Sequence, residues 1–274
     1  MVSDADDAIT ATRRLATAIR LRALRMVAGR GFGYLGQALS SAEQFAVLFG
    51  LVVRQGVDRV VVSPGHYIIA AFAAAAELGL LDDAALDGYG DDGSMLEAIG
   101  TERSPVVDYT CGSLGQGLSA AAGFALADRL KRRVDSRTYT FVSDGELEEG
   151  QIWEAAMFAA HHRLGQLVVL VDANNSQVDG PVDSITTIEP VAAKWRAFGW
   201  SCTEVDGHDV EAVLAALQAA GSDGDQPTAI VCRTSTRRGL RCLPPDVDGH
   251  FMKVSQDFAA AAAVELEAEL AGRA

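Results

Sequence analysis

Between Ala8 and Met26 the apolar residues fall at helical spacing, with Arg13, Arg14, Arg20 and Arg22 among them, which predicts an N-terminal amphipathic helix. A Gly-rich stretch, Gly29 to Gly36, precedes a second apolar run. There Ser40-Ser41 with Glu43 reads as an N-terminal capping signal for a helix ending near Val53. Asp58 to Val62 is a short β-branched run stopped by Ser63-Pro64-Gly65, the pattern of a buried strand and a turn. An Ala-rich helix is expected over 67–79, an irregular surface stretch over 82–109, and a helix that opens at Gly112 to Gly117 and runs to Leu130.

The second half is more regular. Thr138 to Val142 reads as a strand, Gln151 to Arg163 as a helix with Ile152, Ala155, Ala156 and Ala159 on one face, and Gln166 to Val171 as a strand. This is a βαβ unit, and strands that are apolar without alternation point to a parallel sheet covered on both faces. Helices over 191–197 and 210–220, strands over 201–205 and 229–233, and an Ala-rich helix from Gln256 complete the pattern. The expected architecture is α/β: one doubly wound, mainly parallel sheet with helices on both faces, a single domain over 1–274 with an N-terminal helical segment.

The 274 residues hold 23 Lys and Arg against 37 Asp and Glu, a formal net charge of −14. With no basic block, this balance disfavours nucleic acid and anionic membrane surfaces, which need clustered cations. The greasiest stretch, Ile68 to Ala76, is too short for a bilayer span, and the first thirty residues have no secretory apolar region. Cys111, Cys202, Cys232 and Cys242 are too scattered for a disulfide scaffold or a zinc site and read as packing residues. A cytoplasmic protein is the expectation.

Ligands in open α/β sheets bind beyond the carboxyl ends of the strands. The βαβ unit has two such ends, Ser143-Asp144-Gly145-Glu146 and Asp172-Ala173-Asn174-Asn175-Ser176. The first offers a carboxylate and a glycine amide at a strand-to-helix turn; the second offers an amide oxygen and backbone carbonyls. These are hard oxygen donors suited to Mg²⁺, which is held by few protein ligands together with phosphate oxygens. Either segment alone is an ordinary turn or loop. Flanking one helix, with 28 residues between Gly145 and Asn174, they suggest a Mg²⁺-bridged diphosphate at the sheet edge.

That pairing resembles the thiamine diphosphate-binding motif, and in particular the transketolase family, most closely the N-terminal subunit of transketolases split into two chains. The resemblance runs from Gly29 to Phe251. It is carried by Ser63-Pro-Gly-His66, Gly112-Ser-Leu-Gly-Gln-Gly-Leu118, Asp144-Gly-Glu-Leu-Glu-Glu-Gly150 and Asp172-Ala-Asn-Asn-Ser-Gln-Val-Asp-Gly180. It implies that Asp144, Asn174 and the Ser176 carbonyl ligate Mg²⁺ and that the Gly145 amide contacts the diphosphate. It further implies that Gly112, Ser113 and Leu114 lie along the cofactor by their backbones. His66 would contact cofactor and substrate, His250 would be a second such histidine, and Glu149 would sit at a subunit interface. The implied activity is transfer of a two-carbon ketol unit from a ketose to an aldehyde, with thiamine diphosphate and Mg²⁺. A full-length transketolase carries, in the same chain, a pyrimidine-binding domain whose glutamate activates the cofactor. This chain would need a partner subunit for that residue, as an α₂β₂ heterotetramer.

Three positions depart from the family. Ser143 stands for the first glycine of the diphosphate motif, and Tyr34 for a histidine that handles the ketose. A further family histidine falls, without gaps, at Ala98 or is displaced by shifted loops. Cofactor residues are kept while substrate residues change, which implies an altered substrate. A 2-oxo acid dehydrogenase or decarboxylase component and a non-catalytic paralogous subunit are the alternatives. Gly31-Phe-Gly-Tyr-Leu-Gly36 fits a dinucleotide fingerprint but follows a helix rather than a strand, which argues against that use. His161, His162 and His208 are read as surface or turn residues, and Glu146 and Glu148 as charges at a helix start.

Overall fold

Along the central strands, alternate side chains leave for opposite cores. In the strand Leu167–Ala173, Val168 and Leu170 join one apolar cluster, while Leu167, Val169 and Val171 join the other. The period of two is the strand's own geometry, and apolar residues at every position are what a sheet buried on both faces requires. In this computed structural model residues 4–133, 135–221 and 224–272 are described.

The chain opens with helix α1 (Asp4–Arg30), a two-residue strand β1 (Phe32–Gly33) and helix α2 (Leu35–Val47), which runs on as a wider helical turn over Leu48–Val52. Strand β2 (Arg59–Pro64), helices α3 (Ile68–Glu77) and α4 (Asp83–Leu86), strand β3 (Tyr109–Cys111) and helix α5 (Gln116–Leu130) follow. Next come β4 (Thr138–Ser143), α6 (Gly150–His161), β5 (Leu167–Ala173), α7 (Val182–Ile185), α8 (Val191–Ala197) and β6 (Ser201–Asp206). The chain ends through α9 (Val210–Ala219), β7 (Thr228–Arg233), β8 (Met252–Lys253) and α10 (Gln256–Leu270).

The six-stranded sheet has the order β3-β2-β4-β5-β7-β6 and every pair is parallel. Helices α1, α2, α3, α9 and α10 cover one face; α5, α6 and α8 cover the other. The connection from β2 leads outward to β3, and the one from β4 leads the opposite way to β5. The reversal lies between β2 and β4, where open α/β sheets form their crevice. A side strip, β1 paired antiparallel with β8, brings Phe32 and Gly33 beside Met252 and Lys253 and so holds Tyr34 close to His250.

Two expectations change, the start of helix α2 and the role of Glu43. Helix α2 begins at Leu35 rather than at a Ser40-Ser41 cap. Both serines are fully buried within the helix, where Ser40 hydrogen-bonds Asp172 and Ser41 the Gln37 carbonyl, so a tertiary partner has taken over the hydroxyl that a cap would use. Glu43 makes no capping box; it pairs with buried Arg20 of α1. A longer and less apolar helical run than Ile68 to Ala76, Leu35–Val52, is long and apolar enough to cross a membrane; 83% of it is buried inside the fold as a core helix. The Gly31 to Gly36 segment follows α1, so the strand that a dinucleotide fingerprint needs is not in front of it.

Candidate functional site

Strands β4 and β5 run in register, with Ser143 opposite Asp172, so the turns after them open on the same edge of the sheet. Asp144 is 3% exposed; its Oδ1 accepts the Gly145 N–H (2.9 Å) and its Oδ2 the Asn175 N–H (2.5 Å). Asn175 has φ of 58°, a left-handed conformation that Asn tolerates, and it turns the loop back across Asp144. The Asn174 Oδ1 accepts the Ser176 N–H (2.9 Å), and the Ser176 hydroxyl donates to Asp248 (3.1 Å). Asp144, Asn174 and Ser176 are thus brought together as the sequence implied.

Behind them lies Asp172, which is fully buried. Burial first, then the charge of Asp172, pushes Asp144 up to about 7. Among the described residues no Lys, Arg or His forms an ion pair with either carboxylate. Two buried carboxylates side by side are electrostatically unfavourable unless a cation joins them. One carboxylate, one amide oxygen and one backbone carbonyl form a sparse hard-oxygen set, which fits Mg²⁺ completed by phosphate oxygens and water.

The turn after β4 answers two expectations. Ser143 does more than replace a small residue: its Oγ accepts the Glu146 N–H (3.2 Å) and tightens the turn. Glu146 stands in the first turn of a short 3₁₀ helix, as expected, but inside the protein. It is fully buried, and its Oε1 accepts from the Ser63 hydroxyl (2.5 Å) and the Gly115 N–H (2.6 Å). Burial raises its carboxyl to about 7 against these hydrogen bonds. Glu146 therefore ties the ends of β2 and β4 to the loop carrying Gly112, Ser113 and Leu114. Gly112 and Ser113 are exposed and Leu114 is half-buried, along the mouth of the crevice. Gly117 has to lack a side chain, because a Cβ there would stand 2.4 Å from the Ser63 Cα; this lets α5 start directly against β2. The Gly145 N–H is engaged by Asp144, so an anion at this turn would share that donor.

On the β2 side, His66 follows the strand in a short 3₁₀ turn. Its ring lies 5.3 Å from that of His250 and 5.1 Å from that of Tyr34, centroid to centroid. Its Nε2 is buried without a hydrogen-bond partner, and burial, then His250, lowers its pKa to about 3. A neutral imidazole with an unsatisfied nitrogen is a group arranged for a ligand atom. His250 is also held low, chiefly by burial and partly offset by Asp248. Gln37 satisfies both ends of its amide when its nitrogen donates to the carbonyls of Tyr34 (3.3 Å) and His250 (2.7 Å). Its oxygen then accepts the His250 Nδ1–H (2.8 Å). Tyr34 also packs edge-on against Phe251 (4.9 Å), and Phe251 against Phe32 (5.9 Å); both phenylalanines are about half exposed. Ala98 lies on the segment whose Gly100 N–H donates to the Gly65 carbonyl (2.9 Å), next to the His66 turn.

His208 is a turn residue, as expected, and also a bridge: its Nδ1 is 3.1 Å from Glu43 and its Nε2 accepts the Ser235 N–H (3.0 Å). Gln37, Ser40, Gln44, Tyr67 and Asp172, none of them expected at the site, touch it from behind. A signal was present: Gln37, Ser40, Ser41 and Gln44 are polar at i, i+3, i+4 and i+7 on a helix that is otherwise apolar except for Glu43. Asp172 ends a run of five apolar residues.

The chain matches the family described as transketolase, thiamine diphosphate binding domain, over residues 11–250. It is 37% identical over 263 residues to the 6-deoxy-6-sulfo-D-fructose transketolase subunit SqwG of Clostridium sp. (strain MSTE9), covering 93% of this chain and 95% of that protein. It is 33% identical to the human transketolase-like protein 2, covering 94% of this chain and 42% of that protein. The crystal structure of transketolase from Campylobacter jejuni superposes with a TM-score of 0.85 at 25% identity, over 94% of this chain and 43% of that one. The chain thus spans nearly all of one relative and less than half of the other two.

Proposed function

This chain belongs to the transketolase family, as its thiamine diphosphate-binding half, and from that premise we propose that it is one subunit of a two-chain, Mg²⁺-dependent ketol transferase. The observation that carries the reading is the meeting of Asp144, Asn174 and Ser176 with the unsatisfied His66 at the carboxyl edge of one parallel sheet. Asp144, the Asn174 amide oxygen and the Ser176 carbonyl would hold Mg²⁺, and the metal and the Gly145 turn would hold the diphosphate. The exposed backbone of Gly112 to Leu114 would lie along the rest of the cofactor. When bound, thiamine diphosphate supplies a nucleophilic thiazolium carbon and an electron sink for cleaving the bond next to a ketose carbonyl. His66, neutral at physiological pH, would serve the substrate oxygens as a hydrogen-bonding group rather than as a cation. His250, oriented through Nδ1 by Gln37, would present Nε2 to accept or return a substrate proton.

The residue that activates the cofactor's pyrimidine would come from a second chain, in an α₂β₂ assembly with Glu149 at the interface; Glu149 is exposed here. Four free cysteines fit a cytoplasmic setting. Tyr34, in place of a hydroxyl-binding histidine, would shape the donor pocket with an aromatic ring and select a ketose other than the common pentose phosphates. The test is coexpression with a pyrimidine-binding transketolase half and a screen of ketose donors, 6-deoxy-6-sulfo-D-fructose included, for thiamine-dependent aldehyde release. Turnover by this chain alone, or release of CO₂ from a 2-oxo acid instead, would sink the proposal.

A further inference from the structure

Asp172 accepts five hydrogen bonds inside the protein. Gln44 Nε2 (2.9 Å) and the Thr234 hydroxyl (2.6 Å) donate to Oδ1; the Ser40 hydroxyl (2.6 Å), the Tyr67 hydroxyl (2.9 Å) and Asn174 Nδ2 (2.7 Å) donate to Oδ2. The donors come from α2, from the turn after β2, from the end of β7 and from the metal loop itself. One carboxylate thus gathers the ends of three strands and a helix directly behind Asn174.

Its last partner matters most. An asparagine side chain can present either oxygen or nitrogen to a given direction, and only its hydrogen-bond partners decide which. Here the Asn174 nitrogen faces Asp172 Oδ2, the Tyr67 hydroxyl (2.8 Å) and the Ser40 hydroxyl (3.4 Å), while its oxygen faces the Ser176 N–H (2.9 Å). A rotated amide would set its oxygen against the Asp172 carboxylate and its nitrogen against an N–H. Both contacts would be repulsive, and a cation at Asp144 would then meet N–H groups instead of a lone pair.

We propose that Asp172, assisted by Tyr67 and Ser40, is the positioning residue that fixes the Asn174 amide with its oxygen toward the metal. The inference rests on the metal-site reading above. It differs from a general structural role because it depends on which atom of residue 174 is offered, not only on the loop's shape.

The experiment measures Mn²⁺ binding in the presence of thiamine diphosphate, by the electron paramagnetic resonance of free Mn²⁺, on the full chain coexpressed with its partner half, with melting temperature recorded in parallel. Asp172→Asn replaces one of the two acceptor oxygens by a donor, so its nitrogen faces either the Asn174 nitrogen or the Gln44 and Thr234 donors, and the Mn²⁺ affinity is expected to fall about 10- to 100-fold, the range for groups that orient metal ligands. Asn174→Asp should also weaken binding, although a carboxylate is ordinarily the stronger ligand, because it faces Asp172. The reciprocal double variant, Asp172→Asn with Asn174→Asp, restores donor against acceptor. The new amide oxygen can accept from Gln44 and Thr234, and the hydroxyls of Ser40 and Tyr67 can turn to accept from its nitrogen. Affinity should return to within about threefold of wild type. Ser41→Ala, which touches neither residue, should bind as wild type does.

If the double variant binds no better than Asp172→Asn, the orienting role is wrong. Should Asp172→Asn fail to fold, Tyr67→Phe decides: a loss of about threefold or more at an unchanged melting temperature supports the role, and unchanged affinity overturns it. Wild-type protein that retains no Mn²⁺ would instead overturn the metal-site reading itself, an outcome separate from the others.

Discussion

The edge that carries Asp144 and Asn174 and the edge that carries His66 and Tyr34 close the same crevice, yet they are built on different physics. At the first, a buried carboxylate is saturated by five donors that hold the arrangement, although Gln44 Oε1 and Glu146 Oε2 stay buried without a partner. At the second, aromatic and imidazole rings lean on one another at 4.9 to 6.0 Å, one ring nitrogen is unsatisfied, and two phenylalanines face outward. A saturated network resists substitution, because each change strands a buried partner. A ring-lined wall tolerates exchange, since packing asks for volume and shape rather than for a particular donor. On the proposed reading, this difference would let Tyr34 stand where the family resemblance implies a histidine while the loops of Asp144 and Asn174 keep the implied pattern.

The sharpest way to break the comparison is at the metal. Asp144→Ala removes the one carboxylate among the proposed cation ligands and should weaken Mg²⁺-dependent thiamine diphosphate binding by at least about 100-fold in calorimetry, more than a change behind the ligands. Unaltered affinity would mean that the metal lies elsewhere. Tyr34→His probes the other edge. Its expected signature is a change of about tenfold in KM between ketose donors, with cofactor affinity constant to within about twofold. A loss of cofactor affinity there would show that the two edges are not separable.

A third prediction concerns the support behind α2. Burial by itself would raise the Glu43 carboxyl, but Arg20 and His208 outweigh it and bring it to about 2, against an ordinary 4.5. A depressed carboxyl stabilises the fold above the unfolded value and loses that contribution as pH falls through the folded value. The melting temperature of wild type should therefore exceed that of Glu43→Gln above pH 4.5, and the gap should close as the pH falls toward 2; parallel curves would count against it. The smallest effect is expected for Ser143→Gly, which gives up one hydrogen bond to the Glu146 amide and should change cofactor affinity by less than about threefold.

Much of the fold was legible from one dimension. The β-branched and aromatic runs within 58–62, 138–142 and 166–171 became β2, β4 and β5 with ends shifted by at most two residues, because such side chains suit a pleated strand buried on both faces. The start of α2 is not legible, since a serine pair looks the same whether it caps a helix or reaches a carboxylate 132 positions away. The burial of Glu146 is hidden for the same reason: its donors, Ser63 and Gly115, are remote in sequence.

Local rules of propensity, period and ligand hardness already write the parallel sheet, the two loops at its edge and their oxygen-bearing residue types into the chain. Packing alone sets which way the Asn174 amide points, leaves the His66 Nε2 without a partner and gathers five donors on Asp172 behind the loop. Orientation, burial and charge coupling depend on atoms brought together from distant parts of the chain, and they exist only after the sheet has closed.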